Sequence, residues 1–345
     1  MFTLWQNVVN LTACKYCMDL KKKRTMPFQG LRLLMILGVV CLHTYMHPVF
    51  GAGEELVSFF FVISGFLYKN RLPWKQFVWH KVKQIYPFYW LVLLMTLMVA
   101  MVRGQHVFNG NLIWHILLVQ SWIPQDDLTF AFSYVGASWF LSSLLFCYIF
   151  ASPTYKFITK ISKRSALLLL LFAFIMVCSF RIYESTYRFG VWMAYASPYF
   201  RFLEYFMGMT LNHLTKGLQY RCLPYKCEFV SILLLFVYCS FITMQICGGA
   251  TSIIHAGMIA YVYCFNSKVI HLLLGNKICV HLATYAMSIY LTHQSITLSL
   301  LRPHIYHNAI LVIFSIVTGM LFWKEYLVIM KIYPQIKKSN DGKAK

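Results

Sequence analysis

The stretch QGLRLLMILGVVCLH, residues 29–43, decides how the chain is read. It is apolar over nearly its whole length, yet it holds Arg32 and His43 with ten residues between them. Eleven helical steps of about 100° make about three whole turns, so the two side chains share one face, about 16 Å apart along the axis. A charge inside a bilayer costs at least ~2.5 kcal/mol on insertion scales and marks a pathway or a site. The segment is therefore expected to be a membrane-spanning helix that turns this face toward a protein-lined cavity.

Composition extends that reading to the whole chain. Of 345 residues, 59% are hydrophobic and only 12% charged, about half the charge of a water-soluble domain. Apolar runs of spanning length recur, and no polar stretch is left for a separate soluble domain. The expected fold class is all-α, a polytopic membrane helical bundle of about ten transmembrane helices. The spans read as 28–47, 54–69, 86–103, 134–152, 165–182, 198–213, 227–246, 249–265, 280–300 and 308–330. Residues 1–27 form a basic, interfacial segment, 28–332 the membrane domain and 333–345 a basic cytoplasmic tail.

The net charge of +21 does not point to nucleic acid, because the basic residues alternate between connections. Lys15, Lys21, Lys22, Lys23 and Arg24 precede the first span, and Lys69, Arg71, Lys75, Lys81 and Lys83 follow the second. The intervening connections hold only Arg103, Arg181, Arg188 and Arg302. By the positive-inside rule both termini are cytoplasmic, with the excess charge serving topology and anionic membrane lipids. Cys14 and Cys17 make one CxxC without a second ligand pair, so no metal site is expected. The first 25 residues lack the order of a cleaved signal peptide. Either LWQNVVNLTACKYCMDL lies as a helix on the inner leaflet, or translation begins at Met26. The basic stretch LPWKQFVWHKVKQIYP, residues 72–87, reads as a cytoplasmic surface helix ended by Pro87. NLIWHILLVQSW, residues 111–122, is too short to span and reads as interfacial, with Asp126 and Asp127 just after it.

Several polar groups are candidates for chemistry. A cation at the inner mouth suits an anionic donor, and a buried neutral imidazole suits proton transfer from a hydroxyl. Against this stand structural readings: Arg32 snorkelling to headgroups, and His43 making an interhelical hydrogen bond. Arg201 and Glu204, three apart, form either a packing ion pair or part of a tunnel lining. Tyr290 and His293 share a face near the end of the ninth span, where acceptor contact and interfacial placement both fit. Trp139 and Phe59, Phe60 and Phe61 read as packing aromatics, Trp139 being also a candidate acceptor contact. His47, Glu54 and Glu55 lie near the first outer turn.

The stretch GLRLLMILGVVCLH resembles the Arg-x10-His signature that opens the acyltransferase 3 family of bacterial integral-membrane acyltransferases. Further blocks resemble that family in its order: FFFVISGFLYKNR (59–71), HKVKQIYPFYW (80–90), ASWFLSSLLFCY (137–148), RFLEYFMGM (201–209) and ATYAMSIYLTHQSI (283–296). The likeness covers residue 28 to about 330, and the family's ten-helix count agrees with the spans.

The resemblance implies a bacterial plasma-membrane enzyme that moves an acyl group, commonly acetyl from acetyl-CoA, to a hydroxyl of a surface saccharide or glycolipid. Arg32 and His43 match the essential pair, Arg32 engaging the phosphorylated part of CoA and His43 accepting the proton. Ser64 and Gly65 match the Ser-Gly of the second span. Lys81 and Lys83 stand where the family often has arginines, keeping the charge without the bidentate fork. A thioester is already activated, so the implied reaction needs no metal. Two rivals stay open: a transporter or flippase of lipid-linked saccharides, and a sensor or scaffold that has lost catalysis.

Overall fold

The computed structural model describes residues 24–44, 53–105, 109–126, 128–187, 191–224, 227–243, 251–301 and 308–343. The expected inner-leaflet helix and the Cys14–Cys17 pair lie outside those residues, as do His47, Asp127, Arg188 and Arg302. In chain order the helices are α1 (Arg24–His43), α2 (Gly53–Phe66), α3 (Trp74–Val102), α4 (Leu112–Ile116), α5 (Ser138–Lys160), α6 (Lys163–Tyr187), α7 (Val191–Tyr195), α8 (Pro198–Thr215), α9 (Glu228–Thr243), α10 (Thr251–Cys264), α11 (Lys268–Leu273), α12 (Lys277–Leu282), α13 (Ala286–Thr292), α14 (Ser299–Leu301) and α15 (Asn308–Lys343). One parallel pairing of two-residue strands, β1 (Arg221–Cys222) and β2 (Phe265–Asn266), is the only sheet among the described residues. The all-helical class follows.

Among the described residues, five helices have the length and apolar character to cross a bilayer: α1, α3, α5, α6 and α15. α2, α9 and α10 are apolar but shorter. Their outward faces carry large apolar side chains, such as Trp90, Leu94 and Met98 on α3, Leu168, Phe172 and Ile175 on α6, and Phe229 and Phe236 on α9. An exposed apolar surface of that extent belongs against lipid. The protein is a membrane protein.

Inside that exterior, α8 is the hub, packing against α2, α5, α6 and α10. Its contact with α2 is closest at two glycines. A side-chain carbon on Gly65 would run into the backbone carbonyl of Tyr205, and one on Gly208 into that of Val62. Absence of side chains at both positions lets the backbones touch, as small residues do where helices cross in membranes. The same interface buries Arg201 and Glu204. Arg201 Nη1 donates to Glu204 Oε2 at 2.8 Å and to Ser58 Oγ at 2.9 Å, and Ser58 Oγ donates to Glu204 Oε1 at 2.7 Å. The pair thus ties α8 to α2.

Two expected elements take a different form. Pro87 does not end a helix, since α3 runs through it without interruption from Trp74 to Val102. Proline removes a single backbone donor. Here Tyr86, Tyr89 and Trp90 flank the weak point and donate to the carbonyls of Leu117, His115 and Ile116. Those bonds also fold residues 111–118 back along α3. The second difference lies at 280–300, expected as one span. It is α12, a 3₁₀ turn at Ala283–Tyr285, α13, a π turn at His293–Leu298, and α14. The cause is local: His293 Nδ1 lies 2.6 Å from the Tyr290 carbonyl and competes for it with the helical backbone. Single π turns of this kind gather at functional sites.

Candidate active site

α1 carries the first two groups. Its core face, with Phe28, Leu31, Met35, Ile36, Val39 and Val40, is buried in the main hydrophobic cluster. Arg32 and His43 border that face and open into two separate cavities.

The Arg32 cavity has a volume of about 330 Å³. Its polar residues include Arg32, Lys81, Gln84, Ser64 and Tyr148, and its apolar wall includes Ile36, Phe60, Phe140, Leu141 and Leu144. Lys81 donates to Gln84 and lies 5.0 Å from the Tyr148 ring centroid. The cavity therefore pairs cations with a hydrocarbon-lined slot, the form that suits a phosphate-bearing group on a long neutral arm. Lys83 is not in it. That side chain is exposed, with its ammonium 5.2 Å from the Trp79 ring.

The His43 chamber is small, about 40 Å³, enough for a few atoms. His43, His293, Tyr290, Trp139 and Tyr195 all border it. His43 Nδ1 lies 2.9 Å from the Val39 carbonyl, and His293 Nδ1 2.6 Å from the Tyr290 carbonyl. A carbonyl only accepts, so each neutral ring carries its proton on Nδ1. His293 Nε2, 3.4 Å from His43 Nδ1, is then a second acceptor for that same N–H. The rings meet edge to face at 5.0 Å between centroids. Among the described residues, no hydrogen-bond partner meets His43 Nε2, whose lone pair can take a proton. This is the arrangement of a base oriented by a second group.

Tyr290 borders both cavities. Its ring stands 5.5 Å, edge to face, from that of Phe140, which also borders the Arg32 cavity. The two rings divide the Arg32 side from the His43 side. Arg201 and Glu204 are not among the residues bordering these cavities. They sit behind the chamber wall: Arg201 Nε donates to the Tyr195 carbonyl at 2.6 Å, and its guanidinium lies 5.4 Å from the Trp139 ring. Their side chains hold the wall rather than form it.

Structure adds residues that sequence reasoning passed over. Gly136, Phe132 and Gln294 border the chamber and also a larger basin at the carboxyl-terminal end of α3. The single sequence signal was Gln294, which follows His293 directly in the ninth-span block. Tyr134, in the same loop, holds the left-handed backbone conformation at φ 56°, a strained setting for a bulky residue that gathers at ligand sites. Among the described residues, no group of three or more His, Cys, Asp or Glu is placed to hold a metal ion.

Residues 28–324 match the family model described as an acyltransferase domain, that of the acyltransferase 3 family. No curated protein matches the chain. No solved structure matches it either.

Proposed function

The chain belongs to the acyltransferase 3 family, and from that premise we propose that it moves an acyl group, acetyl in the simplest case, from acyl-CoA to a hydroxyl of a surface or lipid-linked saccharide. The observation that carries the reading is the placement of two groups on one helix. Arg32 opens into a cationic, apolar-walled cavity, His43 opens into a small chamber, and Tyr290 is common to both. A donor with phosphates at one end and a thioester at the other needs those two environments in that order.

In this reading acyl-CoA enters from the cytoplasm. Arg32 and Lys81 hold its phosphorylated part, and Ser64 borders the same slot. The neutral arm lies along Phe60, Leu141 and Leu144 and reaches the chamber past Tyr290. His43 Nε2 takes the proton of the acceptor hydroxyl as the oxygen attacks the thioester carbonyl. A C–O bond forms and the C–S bond breaks. The thiolate then receives the proton held by His43 and leaves as free CoA. His293 accepts from His43 Nδ1–H, which stabilises the imidazolium while it carries the extra proton. The family's setting implies a bacterial plasma membrane, and the positive-inside rule turns the basic connections inward.

Free thiol released from acetyl-CoA by the purified protein, in lipid discs with a saccharide fraction, tests this. The wild type is expected to release thiol and His43→Ala to lose at least a hundredfold of that rate. Equal rates above the protein-free background would remove His43 as the base, and no release above that background would remove the enzymatic reading and favour a saccharide transporter, whose substrate movement persists without acyl-CoA.

A further inference from the structure

A cavity larger than the one at Arg32 lies apart from it. It is the basin at the carboxyl-terminal end of α3, about 500 Å³, bordered by α3, by Gln105, Asn109 and Asn111, by Phe132, Ser133, Tyr134 and Gly136, and by the π turn after His293. The wall is rich in groups that both donate and accept. Gln105, Asn109, Asn111 and Gln294 bring four amides, and Ser295 and Tyr134 bring hydroxyls. A sugar hydroxyl also donates and accepts, so amides and hydroxyls are its natural partners.

Ser295 is more than nine-tenths buried, and its Oγ has no hydrogen-bond partner among the described residues. A buried hydroxyl left unpaired costs free energy unless a ligand or water completes it. Charge is one-sided. Arg103 is the only charged residue bordering the basin, and no carboxylate does so among the described residues. Its guanidinium donates to the Ser299 carbonyl, which holds it at the rim. The ring faces of Phe132 and Tyr134 would attract an organic cation, but the fixed guanidinium repels one.

The basin and the His43 chamber share Phe132, Gly136 and Gln294. At this shared wall, the neck between the two, Gly136 faces the Gln294 amide: a side-chain carbon there would stand 2.7 Å from Gln294 Oε1 and displace that amide. The three cavities are thus neighbours in a row, sharing Tyr290 between the Arg32 and His43 sides and Phe132, Gly136 and Gln294 between the His43 and Arg103 sides.

Resting on the acyltransferase reading, we infer that this basin is the acceptor site, and that it takes a neutral or acidic sugar and rejects an amino sugar. The sugar enters from the face opposite the donor and passes one hydroxyl through the Gly136–Gln294 neck to His43 Nε2. Arg103 supplies the preference for an acidic over a neutral acceptor.

The test uses the purified full chain in lipid discs with acetyl-CoA and three probes at equal concentration: methyl glucoside, glucuronic acid and glucosamine near neutral pH. The sugar-dependent increment in thiol release is measured. The first two are expected to raise the rate at least fivefold more than the amine. Arg103→Ala is expected to erase the advantage of the acid over the neutral sugar. Gly136→Val is expected to lower the ratio of sugar-dependent to sugar-independent release at least tenfold. If the three sugars are indistinguishable, all active or all inert, the inference is overturned. It is also overturned if Gly136→Val leaves the ratio unchanged. Failure of the underlying reading has a separate signature: thiol release that His43→Ala does not reduce.

Discussion

His43 spends its Nδ1–H on its own helix and on His293, which frees Nε2 for the reacting hydroxyl. Replacing His293 should therefore weaken the base without touching donor binding. His293→Ala is expected to lower kcat about ten- to a hundredfold and leave the KM for acyl-CoA within about twofold, measured by steady-state thiol release. Arg32 acts at the other end. Arg32→Ala removes charge-assisted bonds of about 1.5–3 kcal/mol, so KM for the donor is expected to rise at least tenfold, with Arg32→Lys in between because it keeps charge without the fork. A binding titration with desulfo-CoA separates this from an effect on chemistry. Glu204 is different in kind. Glu204→Ala leaves the Arg201 guanidinium buried without its carboxylate, an uncompensated charge that costs about 3–5 kcal/mol. Its expected signature is a lower thermal midpoint in detergent.

At the scale of elements, α2 against α8 is the contact on which the wall behind the chamber depends. Gly208→Ala places a side-chain carbon against the Val62 carbonyl, a backbone group that cannot rotate away. Overpacking of this sort costs about 1–3 kcal/mol, and a corresponding drop in thermal midpoint is expected. Gly257→Ala on α10 is the control, because nothing lies within 4 Å of the added carbon. There the change should be neutral or slightly stabilising. The elements also divide by what a sequence can disclose. The shared face of Arg32 and His43 follows from helical period alone, and the motif glycines at 65 and 208 mark a close approach whose partner no single segment names. The π turn escaped, because it comes from a histidine bonding a carbonyl three residues back. Pro87 misled for a similar reason: the donors that brace the helix around it meet carbonyls some thirty residues away. The Gly136–Gln294 contact is not legible as a pair, since it joins a loop to a π turn remote in sequence.

Across the whole molecule, the account needs the two ends of the cavity series to face opposite sides of a membrane. On the positive-inside reading, Arg32 and Lys81 are expected toward the cytoplasm and the Arg103 basin outward. An impermeant thiol reagent added to intact cells is expected to label Gln105→Cys at the basin. The native Cys222, exposed in β1, should react only after the membrane is opened. The reverse pattern would invert the donor and acceptor ends and with them the roles given to the two cavities.

The central claim is that acyl groups leave a donor held at Arg32 and reach an acceptor at His43. Mass spectrometry of surface glycans tests it most directly, in cells carrying the wild-type protein, His43→Ala, Arg32→Ala or none, with equal protein in the membrane. The account predicts glycans heavier by one acyl group per modified sugar with the wild type, and none above background with either variant. Glycans acylated to the wild-type level by His43→Ala would contradict it.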